Sequence, residues 1–253
     1  LDTAGPVAAV RDRLDDRFLV LNGEVVLEGQ LPEFVAGAPD LPAVLSLVQV
    51  EDTSAYGVVV TNAAGVVERF IEKPPAGSAP ADTVNAGMYL MKRSVLERYP
   101  QGRLSFEHVV FPDLVEAGEL GGFVIEGEWL DIGTSELYLA THDAVAAGRS
   151  RLVRFPDPVP VPWVYVEDGA EIESGATVEE AVVLDGATIA AGAIVRRAVI
   201  GRGAVVEEGA VVTGASLVGE NATIGAGCEI AAGARIAPGA RLEPGSITFS
   251  PPQ

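Results

Sequence analysis

Three short segments of this 253-residue chain carry side chains suited to phosphate and sugar chemistry: Glu72-Lys73-Pro74, Asn85-Ala86-Gly87 and Trp129-Leu130-Asp131-Ile132-Gly133-Thr134. Lysine is scarce, two residues against fifteen arginines, so Lys73 departs from the background usage. A compact ammonium holds a phosphate as a point charge, and Pro74-Pro75 ends the strand and directs it. Taken singly, a surface lysine at a strand end is the plainer role. Asn85 offers a donor and an acceptor to vicinal hydroxyls, and Gly87 lets a ring approach the backbone. Gly57, after Tyr56, does the same, with packing as its plainer role. Asp131 can ligate Mg²⁺ or cap the following helix, and Thr134 is already available for the cap. Glu24, after Asn22-Gly23, is either a second metal carboxylate or a solvated turn acid. An ammonium, a carboxamide and carboxylates on successive strand ends suit a phosphorylated sugar and a metal.

The elements that must position these residues read as alternating helices and strands, an α/β layer pattern. Pro6 to Leu14 predicts a helix with proline in its first turn. Phe18 to Leu21 predicts a buried strand delivering Asn22-Gly23 at its carboxyl end. Ala43 to Val50 predicts another, and Val58–Val60 with Val66–Glu72 a hairpin turned at Thr61–Gly65. Val84 to Leu90 is a further strand. Ser135 to Gly148 predicts a helix with Thr134 or Ser135 as N-cap and Gly148 closing it.

Four prolines between Arg151 and Pro162 predict an extended connector. Beyond it the pattern changes. An aliphatic residue recurs every sixth position at Ile200, Val206, Val212, Val218, Ile224, Ile230, Ile236 and Leu242. Val166, Ile172 and Val178 start the same series, with one-residue slips near Leu184 and Val195. This is similar to the hexapeptide repeat of a left-handed parallel β-helix, in which three six-residue sides make a coil, giving roughly four coils. The expected domains are therefore 1–150, a connector 151–162, a β-helix 163–247 and a tail 248–253.

Composition narrows the partners. With 36 acids against 17 bases, a net charge of −19, the chain has no basic patch for a nucleic acid or a membrane surface. Cys228 is the one cysteine, which excludes an intrachain disulfide and a cysteine-based zinc cluster and makes the cytoplasm the default location. No apolar run approaches the length of a membrane span. The sequence opens at Leu1 rather than methionine, as expected of an internal cut.

In their order, these motifs resemble the sugar nucleotidyltransferase family, also called nucleotide-sugar pyrophosphorylases, and especially its mannose-1-phosphate guanylyltransferase and glucose-1-phosphate thymidylyltransferase branches. The resemblance covers Leu1 to about Gly148, and the β-helix extension matches the guanylyltransferase-like architecture. It implies a Rossmann-like nucleotidyltransferase domain, N-terminally incomplete here, and a reaction in which a sugar-1-phosphate oxygen attacks the α-phosphorus of a nucleoside triphosphate and releases pyrophosphate. By position, Lys73 looks like the catalytic residue holding the sugar phosphate. Gly57, Glu72, Asn85 and Gly87 look like sugar contacts, Thr3-Ala4-Gly5 the nucleobase segment, and Glu24 with Asp131 the Mg²⁺ ligands. Phosphoryl-type transfer is mostly positioning and charge neutralisation, so this set suffices.

The chain also departs from the family. The glycine-rich G-x-G-T-R loop with its following lysine is absent from these residues, Glu24 stands where aspartate is usual, and Asp2 and Pro6 stand where glycine and alanine are usual. Asp2 would repel a polyanionic nucleotide. The first domain is therefore expected to belong to an active transferase whose 253-residue piece makes no nucleotide sugar, or else to a non-catalytic, nucleotide-sugar-sensing relative. A hexapeptide acyltransferase is the third reading, disfavoured because such enzymes use a histidine base on the β-helix and the two histidines, His108 and His142, precede it. The β-helix is expected to be an oligomerisation or regulatory module, with homo-oligomerisation the favoured role, since a solenoid leaves open backbone edges at its ends.

Overall fold

The computed structural model describes residues 1–28, 31–156 and 159–248; Asp157 and Pro158 of the connector and the tail beyond Thr248 lie outside the described residues. The chain packs as two compact units, Leu1–Trp129 and Leu130–Gln253.

In the first unit the elements run α1 (Gly5–Ala9), β1 (Arg17–Leu21), β2 (Val25–Leu27), α2 (Leu31–Gly37), β3 (Ala43–Gln49), β4 (Gly57–Thr61), β5 (Val67–Glu72), β6 (Thr83–Lys92), α3 (Arg93–Leu96), α4 (Phe111–Glu116), β7 (Leu120–Val124) and the start of β8 (Trp129–Asp131). Five strands lie in the order β5-β4-β6-β3-β7, and β1 pairs with β6 off this path. The sheet is mixed: β3 and β7 run parallel and the other pairs antiparallel. The apolar run of β3 follows from burial on both faces. Leu45 and Leu47 face a cluster with Tyr89, Phe106 and Phe111, while Val44 and Val48 face Phe34, Val58 and Met88.

Two local expectations fail. The strand predicted as buried over Phe18–Leu21 is half-buried with Leu21 exposed, because β6 is its one strand partner among the described residues. The helix predicted over Pro6–Leu14 stops at Ala9, and a separate tight turn covers Arg11–Arg13. There the Arg11 guanidinium donates to the carbonyls of Leu96 and Tyr99 at 3.3 and 3.0 Å.

The second unit holds α5 (Ser135–Ala146) and a parallel β-solenoid with faces of five, four and five strands. Inward side chains stack in register, Val183 on Ile200 and Ile200 on Val218. The steps from Val166 to Val183 and from Val183 to Ile200 are 17 residues, and those from Ile200 to Val218 and Val218 to Ile236 are 18. The slip thus falls at one corner. Glu180 and Arg197 turn it as single left-handed residues (φ 48° and 47°), where later coils use two, Gly214-Ala215 and Ala232-Gly233. The inward residue of the shortened side is Val183, and Leu184 turns outward. Part of the acid excess is structural: Glu167, Glu173 and Glu207 accept the N–H groups of Asp185, Ala191 and Ala226 on the next coil, each at 2.9 Å.

Thr134 caps α5 by accepting the Leu137 N–H at 3.2 Å, and Gly148 follows its end with φ 69°, as the sequence predicts. The helix packs on the solenoid through Leu139 against Val182 and Val199, and Asp143 accepts from Trp163 Nε1 at 2.7 Å and from Arg197 at 3.0 Å. The compact units consequently divide at Trp129/Leu130, ahead of the proline-rich segment, and His142 belongs with the solenoid. Among the described residues no helix is long and apolar enough to cross a membrane.

Candidate substrate site

The centre of the first unit's site is an irregularity in β6. Leu45 pairs with Tyr89 but Leu47 with Asn85, so Ala86-Gly87-Met88 buckles out of the β3 ladder. Backbone groups freed by a bulge must find other partners. Here four of them do: Asn85 Oδ1 accepts the Gly87 N–H at 3.1 Å, Ser46 Oγ the Met88 N–H at 3.2 Å, Trp129 Nε1 donates to the Ala86 carbonyl at 3.0 Å, and the Asn22 N–H to the Gly87 carbonyl at 2.8 Å. Gly87 has φ 79°, and a Cβ there would sit 3.1 Å from Asn22 Cβ and from Val25 Cγ2. The glycine is thus required by the turn after β1, which carries Glu24, rather than by a ligand alone. Asn85 Nδ2 donates to Tyr89 Oη at 3.0 Å. Its carboxamide retains one N–H and one lone pair for a further partner.

Lys73 ends β5 in the left-handed region with φ 45°, although a residue before proline favours extended backbone. Its N–H donates to the Tyr56 carbonyl at 3.0 Å, and its exposed Nζ lies 3.9 Å from Glu72 Oε1. A strained non-glycine residue held in place by its neighbours is a mark of functional sites. Burial pushes the Glu72 carboxyl above its ordinary value; the Lys73 ammonium opposes this and the Glu107 charge adds to it. Gly57 pairs with Glu72, and a Cβ there would lie 2.7 Å from the Phe70 ring and 3.0 Å from Glu72 Oε2. Gly57 therefore lets the carboxylate lie against the backbone.

The Thr3-Ala4-Gly5 segment is anchored beside Glu107. Thr3 Oγ1 donates to Glu107 Oε2 at 2.7 Å and accepts the Phe106 N–H at 2.9 Å, while the Ala4 and Gly5 N–H groups share the Leu104 carbonyl. Asp2 does not stand as an uncompensated charge, because Arg103 Nε lies 3.2 Å from its Oδ2 and the Thr3 N–H 3.0 Å from its Oδ1. Beneath the site, Tyr89 is buried and its hydroxyl is pushed well up, by burial first and by the charges of Glu107 and Glu24; hydrogen bonds from Asn85 and Asn22 oppose this. One phenol therefore senses both the Glu107 and the Glu24 sides.

Glu24 is exposed on the turn after β1 and forms no ion pair among the described residues. Asp131, in the second unit, is half-buried; its Oδ1 accepts the Gly133 N–H at 2.7 Å, leaving Oδ2 for a ligand. Among the described residues no group of three or more His, Cys, Asp or Glu side chains could hold a metal.

Four contributors escaped the sequence reading: Ser46, Tyr89, Glu107 and the indole of Trp129, whose ring also meets Tyr56 at 5.2 Å. Only Ser46 left a signal, as the lone polar residue in Ala43–Val48.

Residues 1–148 match the Nucleotidyl transferase family, and residues 159–243 match the GMPPB C-terminal domain. The chain is 40% identical over 146 residues to the probable mannose-1-phosphate guanylyltransferase 2 of Arabidopsis thaliana, covering 55% of this chain and 40% of that protein. It is 37% identical over 146 residues to the mannose-1-phosphate guanyltransferase of Schizosaccharomyces pombe, with the same coverage. Against the mannose-1-phosphate guanylyltransferase catalytic subunit beta of Xenopus tropicalis it is 34% identical over 145 residues, again 55% of this chain and 40% of that protein. The chain thus spans well under half the length of these relatives. HddC from Yersinia pseudotuberculosis superposes with a TM-score of 0.49 at 26% identity, over 56% of this chain and 62% of that one.

Proposed function

Because the chain belongs to the nucleotidyl transferase family, we propose that its first unit carries the sugar-1-phosphate half of a site that joins a nucleoside triphosphate to a sugar-1-phosphate. Mannose-1-phosphate with GTP is the favoured pair, supported by the names of the relatives, and glucose-1-phosphate with dTTP the next. The carrying observation is Lys73, a left-handed residue that projects an exposed ammonium beside a half-buried carboxylate.

In the reaction a sugar-phosphate oxygen bonds to the α-phosphorus while the bond to pyrophosphate breaks. Lys73 binds and orients the sugar phosphate, Glu72 accepts from sugar hydroxyls, and Asn85 adds its spare donor and acceptor, with Gly57 and Gly87 keeping the floor open. The Thr3-Ala4-Gly5 segment lies on the nucleobase side, with Thr3 exposed and Ala4 and Gly5 buried beneath it. Glu24 of the first unit and Asp131 of the second are each a candidate carboxylate for Mg²⁺, which when bound offsets the charge on the phosphates.

These residues contain no G-x-G-T-R loop, and Glu24 extends its carboxylate about 1 Å beyond an aspartate, a shift that can cost about 10²-fold in rate. The 253-residue protein therefore binds sugar phosphate without making a nucleotide sugar. Calorimetric titration with mannose-1-phosphate tests the binding, and pyrophosphate release from GTP and mannose-1-phosphate tests the absence of turnover. No binding of any hexose-1-phosphate would sink the reading, and release of pyrophosphate would overturn the inactivity. Binding without turnover by a longer parent would assign a sensing subunit instead.

We further propose a cytoplasmic protein that self-associates through the solenoid. Val166 and Ile172, in register with the core residues Val183 and Ile189, are 42% and 40% exposed at the first coil, apolar surface a second copy would cover. A monomer mass by light scattering at micromolar concentration would count against it.

A further inference from the structure

The second unit contains a cavity of about 360 Å³, within the range of small-molecule sites. Its walls come from four segments: Tyr138 and His142 of α5, Arg154 and Phe155 of the stretch that follows, Tyr165 and Glu167 of the first coil, and Leu184 of the next. The His142 ring lies 4.6 Å from Tyr138, 6.3 Å from Phe155 and 6.2 Å from Tyr165, and it stacks on Trp163 at 5.3 Å. Its Nδ1 lies 3.0 Å from the Tyr138 carbonyl oxygen, which makes Nδ1 the protonated nitrogen and leaves Nε2 an acceptor.

Charge decides what such a ring-lined space favours. Glu167 is already committed, accepting the Asp185 N–H at 2.9 Å and lying 3.8 Å from Arg202. Arg154 is exposed and forms no ion pair among the described residues. The wall therefore presents the Arg154 guanidinium beside aromatic rings, with the one carboxylate of the lining, Glu167, hydrogen-bonded and near Arg202. Guanidinium matches the geometry of a phosphate, and aromatic side chains stack on nucleobases of any sequence. Nε2 of His142 can accept from an amino or imino group on such a base.

We infer that this cavity binds a nucleoside 5′-phosphate, with the base in the cavity against the packed rings that line it and the phosphate on Arg154. The site lies wholly in the second unit and does not rest on the transferase reading, since it uses none of the residues around Lys73.

The test is a titration of the 253-residue protein with guanosine 5′-monophosphate, followed by NMR at the Trp163 indole N–H, which donates to Asp143 Oδ1 at 2.7 Å. The expected result is a saturable shift that persists in Lys73→Ala and weakens at least about 10-fold in Arg154→Ala, as loss of a charge-assisted contact requires. Guanosine without its phosphate should bind weaker by a similar factor. Absence of a saturable shift at about 10 mM ligand, far above the concentration expected to fill a specific site, would overturn the inference. So would equal affinity for guanosine, or a shift that survives Arg154→Ala and vanishes in Lys73→Ala.

Discussion

The buried hydroxyl of Ser46 accepts the amide hydrogen of Met88 at 3.2 Å and so supports, from the neighbouring strand, the bulge that carries Gly87 past Asn22. Ser46→Ala leaves that buried N–H without its partner. A loss of about 1–3 kcal/mol is expected, the cost of an unpaired buried donor, measured as a lower urea midpoint at unchanged slope. An unchanged midpoint would mean that the bulge relaxes onto another acceptor.

Gly87→Ala strains the chain twice, by a left-handed φ of 79° and by a Cβ 3.1 Å from Asn22. A destabilisation of at least about 1 kcal/mol is expected, together with loss of mannose-1-phosphate affinity, because Asn22 and the turn bearing Glu24 must move. Calorimetric titration beside thermal unfolding reads both; retained affinity would separate the turn from the site.

Lys73 invites the opposite experiment. Glycine adopts its φ of 45° without the steric penalty, so Lys73→Gly is expected to fold at least as stably as the parent while binding sugar phosphate at least about 10-fold more weakly. A variant that loses stability would show that the ammonium, rather than the strain, governs this corner.

Glu72 carries a pH signature. Burial holds its carboxyl above the ordinary value of 4.5 despite Lys73, so its protonated form is favoured by folding. Its contribution to stability is then fully present below the unfolded value and is lost as pH rises through the folded one. Glu72→Gln should stabilise the protein at pH 7, with the gain vanishing below about pH 4, while weakening sugar binding. Urea midpoints at the two pH values measure it, and a destabilised variant at pH 7 would mean that the Lys73 pair outweighs burial.

The solenoid was legible because its physics is local and repeated. One aliphatic residue per side must point inward, so the six-residue period survives in the sequence, and even the shortened sides register as a slip. The hairpin from Val58 to Glu72 and the capped helix from Thr134 were legible for the same reason, since turn and cap chemistry act within a few residues. The strand over Phe18–Leu21 misled because an apolar run does not say how many neighbours it will have.

What the sequence by itself determined is the inventory: Lys73, Glu72, Asn85, Gly57, Gly87 and two carboxylates, in an order that names their chemistry, and a period-six solenoid after them. Only the tertiary structure decided how that inventory is held. The bulge over Ala86–Met88 draws its partners from positions as distant as Asn22, Ser46 and Trp129, and α5 belongs to the solenoid through Leu139 and Asp143. Backbone groups released from a ladder, and an apolar helix face left uncovered, take whatever partner the packed chain brings near, and no spacing along the sequence records which that will be.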